Sequence, residues 1–330
     1  MNLTFFVSRP GNKFYYLQNL TPWHFASRTK NPAEWQKITG PLSIAEKRII
    51  KKFSDILKNE GYDRDLKRKS TFLGIPFFTS NTEKEALEKV KDLLTQKQFE
   101  VFKETFDIFE YKFSIIWNHY SNNKPALRSI KNEIKKTQFK KAINEATLIC
   151  GLKKTPDIKI SVIFSPAPIG ETAAGTALPG HNLITMELPI SFSDEWTLIY
   201  SIGILLHEIM HIMLNERDIN KKIDASIKKL KLPQRVFEKP TLSLINESIV
   251  ESFAPAGFII QNHYPNKIAD VVLANADRAY LQKKDIRNAL FWANYPTAVF
   301  YGKNKQSIDQ YFINRAASSL KNIIAKKIRG

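Results

Sequence analysis

The sequence predicts an α+β fold, in which a small β-sheet and several helices follow a mostly helical N-terminal region. Residues 1–150 carry long amphipathic patterns of helical period, whereas two short stretches between 157 and 188 alternate and are rich in β-branched residues. The rest of the chain returns to helical spacing. A turn-rich segment, 151–156, therefore divides the 330 residues into a helical region, 1–150, and a second domain, 151–330.

Amphipathic spacing and capping residues define the helices expected in the N-terminal region. Ser43 is a suitable N-cap for the first of them, and Thr82 with Glu85 forms a capping box at the start of the second. Asparagine and proline residues mark the turn before the third. The predicted helices cover residues 41–62, 81–119 and 124–150.

Two strands are expected after the boundary, at residues 157–164 and 182–188. Both stretches are rich in β-branched residues, and the first alternates as a half-buried strand does. The segment between them is predicted to be a loop, because it is rich in small and turn-forming residues: Pro166, Pro168, Gly170, Gly175, Pro179 and Gly180.

The motif His207-Glu208-x-x-His211 lies in a stretch with apolar residues at helical spacing, whose start Ser193 marks as an N-cap. Residues four apart share one face of a helix, so the two imidazoles form a ligand pair for Zn²⁺. Glu208, one position round the helix, can reach a water molecule without binding the metal. With 6 His and 32 acidic residues in 330, roughly 0.01 matches are expected by chance. Two core histidines bonded to carbonyl groups are the alternative.

A zinc site needs a third protein ligand from another element, and Glu247 is the candidate. It lies in an apolar helical stretch that Pro240 begins and that Pro255 ends or kinks. Glu251 follows on the same face, where two carboxylates would repel each other unless a cation lay opposite. A metal for one carboxylate and a ligand imidazole for the other would remove that repulsion. A solvated helix edge is the alternative.

This combination resembles the gluzincin group of zinc metallopeptidases, in which the H-E-x-x-H helix is followed by a helix carrying N-E-x-x-x-[D/E] or E-x-x-x-D. Asn246, Glu247 and Glu251 match that pattern. The resemblance covers residues 157–260. Glu251 stands where the group usually has Asp, and the segment 212–246 is longer than in many members, so the resemblance is to the group and not to one family.

The resemblance implies a zincin-like domain, made of a small sheet, an active-site helix and C-terminal helices, with Zn²⁺ as its cofactor. Glu208 would be the general base. Glu251 would orient a ligand histidine from outside the ligand set, and Asn246 would lie beside the third ligand. The implied zinc ligands are His207, His211 and Glu247.

The resemblance also implies an oxyanion-stabilising residue and a substrate-binding strand. The group uses a Tyr or His beyond the third ligand, and Tyr301 and Tyr295 are preferred here over His263. Packed aromatics are the alternative for the tyrosines. In zincins the strand just before the active-site helix lies at the cleft edge, which implies that 182–188 pairs with an extended peptide. An ordinary strand pair packed under the helix is the alternative.

The chain is strongly basic, with a net charge of +18 that is dominated by lysine and a pI near 9.7. Phosphate contacts need only clustered cations, so nucleic acid is a partner to consider. However, the basic runs are dispersed and no recognised nucleic-acid motif accompanies them, which favours a solvated lysine-rich surface. The same charge would suit acidic peptides or an anionic membrane surface.

The sequence carries no recognisable secretory signal or expected membrane span. The N-terminal apolar stretch is too short for a secretory signal, and no membrane span is expected, because His207 and Glu208 interrupt the most apolar helix. Cys150 is the single cysteine, which excludes an intrachain disulfide and fits a reducing compartment. A cytoplasmic location is therefore predicted, with secretion independent of a signal peptide left open.

Taken with the motif, these features predict a zinc metallopeptidase, either an endopeptidase or an aminopeptidase, that hydrolyses a peptide or protein substrate. The alternatives are a regulatory relative with a narrow substrate range and a noncatalytic metal-binding protein whose basic surface binds nucleic acid or another acidic partner. Metal-dependent proteolysis distinguishes the enzyme from the binding protein, whereas binding that weakens with salt favours the latter.

Overall fold

The computed structural model has an α+β fold, in which a mixed four-stranded sheet packs against helices. The fold class predicted from the sequence is therefore confirmed. The structure describes residues 2–21, 30–60, 73–121, 124–165, 173–236, 239–265 and 286–329.

The sheet has the strand order β1-β2-β4-β3. Its strands are β1 (Leu3–Phe6), β2 (Ile158–Phe164), β3 (Ala174–Leu178) and β4 (Leu183–Leu188). Both β1 and β4 run parallel to β2, whereas β3 is antiparallel to β4. Consequently β1 and β3 are edge strands, and β4 lies between two neighbours. Because β1 comes from the N-terminal region, the sheet draws on both sides of the predicted boundary at residue 150.

Helices make up most of the described chain. The N-terminal helices are α1 (Arg9–Leu20), α2 (Lys30–Thr39), α3 (Ile44–Glu60), α4 (Ile75–Thr79), α5 (Glu83–Lys91), α6 (Gln96–Ser121), α7 (Pro125–Glu133) and α8 (Thr137–Ile149). The C-terminal helices are α9 (Glu195–Asn215), α10 (Ile219–Leu230), α11 (Thr241–Glu251), α12 (Phe258–His263), α13 (Ile286–Lys303) and α14 (Gln310–Arg329). A short 3₁₀ turn (Pro179–His181) joins β3 to β4, and a two-residue strand pair (Arg235–Val236 with Lys239–Pro240) precedes α11.

The helix predicted at 41–62 is present as α3, and residues 61–62 lie outside the described ranges. Ser43 caps it, since its hydroxyl accepts from the Glu46 amide at 3.2 Å and its own amide donates to the Glu46 carboxylate at 2.6 Å. The single helix predicted at 81–119 is wrong. It is two helices, α5 and α6, because Thr95 accepts from the Gln98 amide and starts a new helix.

Two further predictions need the same kind of correction. The helix expected at 124–150 is divided into α7 and α8 by a turn at 134–136. The loop expected between the two strands contains β3, whose small residues pair with β4. Its residues 166–172 lie outside the described part of the chain. Amphipathic spacing does not reveal a one-turn break in a helix, and a short Gly- and Ala-rich strand lacks the β-branched residues that signal a strand.

Helix α1 carries a buried cation. The Lys13 side chain is 0% exposed, and its ammonium group lies 2.8 Å from the Glu83 carboxylate and 2.5 Å from that of Glu110. Arg9 contacts the other oxygen of Glu110 at 2.5 Å. Burial alone would raise the pKa of Glu110, but the hydrogen bonds from Arg9 and Lys13 lower it to about 2. The ion pairs therefore join α1, α5 and α6 across an aromatic core.

Helix α9 is the most apolar element and lies in the middle of the core. Among the described residues it is the one helix long and apolar enough to cross a membrane, so the argument that His207 and Glu208 exclude such a helix is wrong. In the structure, 78% of its most apolar window is buried inside the protein. Burial within this fold accounts for the apolar composition.

Candidate metal centre

The H-E-x-x-H motif lies in the second half of α9. The start of that helix is fixed by Asp194, whose carboxylate accepts from the Thr197 amide at 2.7 Å in a capping box, so the cap is one residue after the predicted Ser193. Helical spacing then places His207 and His211 on one face, with ring centroids 4.6 Å apart. The predicted pairing of the two imidazoles is therefore present.

Glu247 on α11 completes a cluster of three potential metal ligands. Its Oε2 lies 3.5 Å from Nε2 of His207, and its Oε1 lies 3.4 Å from Nε2 of His211. The two Nε2 atoms are 3.0 Å apart. Within the described ranges, this is the one group of His, Cys, Asp and Glu side chains that could hold a metal ion, with its ligand atoms all within 4.8 Å of one another.

These separations are compatible with a bound zinc ion. Ligand atoms at about 2.0–2.1 Å from a tetrahedral centre lie about 3.3 Å from one another. The two Nε2 atoms are 3.0 Å apart, and each lies 3.4–3.5 Å from a different oxygen of the Glu247 carboxylate. With one ligand atom taken from each residue, all three lie within 4.8 Å of one another. Two imidazoles and a carboxylate are also the ligand chemistry of catalytic zinc sites, which leave a fourth position open.

A backbone carbonyl orients the first histidine. Nδ1 of His207 lies 2.9 Å from the carbonyl oxygen of Ala254, which can only accept, so Nδ1 carries the proton and Nε2 points into the cluster. Gly203, one turn before His207, makes this approach possible, because a Cβ there would lie 2.2 Å from the Pro255 carbonyl oxygen. No sequence pattern pointed to Ala254. A glycine inside an apolar helix was the available signal for close backbone contact.

The electrostatics of the cluster favour a bound cation. Burial lowers the pKa of His207, but the hydrogen bond that it donates to Glu247 and the charges of Glu208 and Glu247 raise it to about 9. Burial raises the pKa of Glu247, yet the two histidines hold it well below its usual range. The cluster therefore stabilises positive charge, which a proton supplies in the absence of a metal and a divalent ion would supply more strongly.

Glu208 faces the edge strand β3. Its side chain is buried, and its Oε2 accepts a hydrogen bond from the Ala177 amide of β3 at 2.7 Å. This contact fixes the carboxylate beside the cluster without making it a fourth member of the ligand group. The division of roles expected within the motif, in which the histidines bind a metal and the glutamate acts on water, stays a prediction.

The residues predicted to surround Glu247 have the following contacts. The carboxylate of Glu251 bonds to Arg287, while the Ala254 carbonyl bonds to Nδ1 of His207. Asn246 donates to the side chain of Asn220 on α10 at 2.7 Å. The roles assigned to Glu251 and Asn246 stay predictions.

Arg287 is the cation opposite the two carboxylates of α11. Its guanidinium lies 3.0 Å from Oε2 of Glu247 and also pairs with Glu251. Burial raises the pKa of Glu251, an effect that the charge of Arg287 opposes. The repulsion between the carboxylates predicted a neighbouring cation, but an arginine 40 residues further along the chain has no spacing signal that identifies it.

The candidate oxyanion residues bond to other side chains. The Tyr301 hydroxyl donates to Asp309 at 2.7 Å, and the side chain is only 3% exposed. Tyr295 donates to Gln261 at 2.5 Å, while His263 lies 2.7 Å from Glu145. These contacts support the packing alternative for the tyrosines, and their oxyanion role stays a prediction. The three residues were chosen from chain position, which does not fix where α12 and α13 direct their side chains.

The strand expected at the cleft edge is in the interior of the sheet. β4 is hydrogen-bonded to β2 on one side and to β3 on the other, so the assignment of 182–188 to the edge is wrong. The edge strand beside α9 is β3. Its residues are partly exposed, and the Ala173 amide donates to Ser201 of α9 at 2.8 Å, as Ala177 does to Glu208.

Comparison with known proteins gives no assignment: the chain matches no family model, no curated protein and no solved structure. The functional evidence is therefore the cluster itself. Three ligand atoms converge from two helices, and a fourth side chain, Glu208, is held between the cluster and an edge strand.

Proposed function

We propose that this protein is a zinc-dependent peptidase of the gluzincin type, in which His207, His211 and Glu247 hold the metal and Glu208 is the general base. The observation that carries the proposal is the convergence of two imidazole nitrogens, 3.0 Å apart, with the Glu247 carboxylate, whose oxygens Oε2 and Oε1 lie 3.5 Å and 3.4 Å from Nε2 of His207 and of His211. The order of elements agrees with a zincin-like domain, since a small sheet with a partly exposed edge strand precedes α9 and α11 follows it.

Zinc bound at this site would lower the pKa of a water molecule and polarise the scissile carbonyl group. Glu208 would take the proton from the attacking water and transfer it to the leaving amine. Oε1 would perform this transfer, because Oε2 already accepts the Ala177 amide. His207 keeps its Nε2 directed at the cluster through the Ala254 carbonyl.

The edge strand supports a peptide as the substrate. β3 is partly exposed along its length and has Gly175 and Ala177 beside Glu208. An extended chain could add to the sheet there through backbone groups other than the Ala173 and Ala177 amides, which already bond to Ser201 and Glu208. We therefore assign substrate binding to β3 and not to β4.

Elemental analysis combined with a peptide-library digest tests the proposal. The purified protein should hold about one zinc ion per chain, and a chelator should abolish cleavage. His207→Ala and His211→Ala should each lose the metal. His119→Ala is the matched control, because His119 is exposed on α6 and should leave the zinc content unchanged.

Two results would overturn the proposal. The site would be excluded if wild-type protein refolded in the presence of zinc stayed metal-free. Full zinc occupancy in both His207→Ala and His211→Ala would also exclude it. Zinc binding without any cleavage across the library, together with salt-dependent binding of nucleic acid, would instead favour the noncatalytic metal-binding protein.

A further inference from the structure

Gly175, in the middle of β3, lies directly against the side chain of Glu208. A Cβ added to Gly175 would lie 2.7 Å from Cγ of Glu208, 3.3 Å from Cδ and 3.4 Å from Oε1. These are its three nearest heavy atoms outside its chain neighbours, and all belong to Glu208. The first distance is shorter than any normal carbon contact, so a side chain at Gly175 and the present position of Glu208 exclude each other.

Space, and not backbone conformation, explains this glycine. Gly175 pairs with Met186 in the regular register of β3 and β4, and its φ lies outside the left-handed region. Alanine could therefore adopt the same backbone. Glycine inside a strand weakens it, and its presence typically marks a place where another group approaches closely. Here the approaching group is the proposed general base.

Hydrogen bonds on both sides of Gly175 hold the strand at this short distance. The Ala173 amide donates to Ser201 at 2.8 Å, and the Ala177 amide donates to Glu208 at 2.7 Å. Because alternate amides of a strand point the same way, both donors lie on the side of β3 that faces α9. Hydrogen bonds therefore join β3 to α9 two residues before and two residues after Gly175.

We infer that Gly175 is a positioning residue for Glu208: the missing side chain is what allows the carboxylate to stay on the Ala177 amide beside the metal cluster. A methyl group at position 175 would displace the Glu208 side chain, which would break its hydrogen bond with the Ala177 amide and move the carboxylate away from the water molecule that Glu208 is proposed to activate. The catalytic meaning of this inference rests on the proposed function, whereas the contact itself does not.

Gly175→Ala tests the inference, with Gly180→Ala as its matched control. Gly180 follows the same strand, and a Cβ there would meet no heavy atom within 4 Å. Hydrogen exchange at the Ala177 amide, measured by NMR on alanine-labelled protein, reports the bond to Glu208 without requiring activity. Exchange should accelerate about fivefold or more in Gly175→Ala, as in Glu208→Ala, and stay unchanged in Gly180→Ala.

Activity gives the second measurement. Gly175→Ala should keep its zinc and lower kcat by about 100-fold or more with a smaller change in KM, since the base and not the substrate site is displaced. If wild-type protein cleaves nothing while the exchange results are as expected, the positioning role stands and the proposed function fails. If Ala177 exchange is the same in Gly175→Ala and wild type, the inference is overturned even in an active peptidase.

A double variant covers the case in which Gly175→Ala does not fold. Glu208→Ala removes all three atoms that the new methyl group would meet, so Gly175→Ala/Glu208→Ala should fold with a Tm no lower than that of Glu208→Ala alone. Recovery of folding would support the contact directly. Failure of the double variant to fold, when Glu208→Ala folds, would overturn the inference, because the glycine would then be needed for a reason unrelated to Glu208.

Discussion

Replacing Glu208 with glutamine tests the proposed hydrolytic role of the α9 motif separately from its proposed metal-binding role. The Oε2 atom of Glu208 accepts the Ala177 amide at 2.7 Å in a buried setting. A glutamine oxygen can accept the same bond. Its amide nitrogen must then occupy the position of Oε1, where it donates and cannot take a proton from water.

The expected effects on stability and on catalysis differ in size. A hydrogen bond to a neutral acceptor is about half as strong as one to a carboxylate, so Glu208→Gln should lose about 1 kcal/mol of unfolding free energy or less. Loss of a general base costs about 10²–10⁴ in kcat, which corresponds to about 3–5 kcal/mol of activation free energy. Zinc content should remain at about one ion per chain, because the ligands are unchanged.

Three measurements on the same preparation check this prediction: zinc by elemental analysis, unfolding in urea, and turnover of a cleaved peptide. Glu208→Ala is the companion variant and should be less stable than Glu208→Gln, since it leaves the Ala177 amide without its partner. Retained turnover in Glu208→Gln would remove Glu208 from the role of base. Loss of zinc in that variant would make it a ligand instead.

Three other perturbations have defined outcomes. Arg287→Ala leaves Glu247 and Glu251 without their shared cation, so the metal-free variant should lose about 1 kcal/mol of unfolding free energy. Adding zinc should raise the Tm of this variant more than the Tm of wild type, and equal rises would contradict the prediction. The pKa of Glu110 is lower in the folded protein than in the unfolded chain. The stability that the ionised Glu110 contributes is therefore fully present above the unfolded-state pKa and is lost as the pH falls toward 2. Urea unfolding of wild type and Glu110→Gln should differ by about 1 kcal/mol after solvent screening, and this difference should shrink between pH 4.5 and pH 2. A difference that stays constant over this pH range would contradict the prediction. Thr185→Pro should abolish folding, as seen by circular dichroism, because β4 is bonded on both sides, and a folded variant with only a raised KM would restore β4 to the edge.

The helical parts of the fold could be predicted where the local signal was strong. Ser43 capped α3 as expected, and the apolar period that surrounds His207 was correctly identified as a helix. The break between α5 and α6 was missed, since a periodic pattern can continue across a one-turn interruption. β3 was missed for a different reason, because it is held by its neighbours and has little strand preference of its own.

The sequence by itself determined the pair of imidazoles, because helical geometry fixes the direction of residues four apart wherever the helix lies. It also indicated Glu247 through a pattern on a second helix, although only packing brought that carboxylate to within 3.4–3.5 Å of the histidines. The tertiary structure decided the rest: the Ala254 carbonyl on His207, the guanidinium of Arg287 and the edge position of β3. These are contacts between segments far apart in the chain, and no local period or spacing encodes which distant backbone or side chain will meet a given residue.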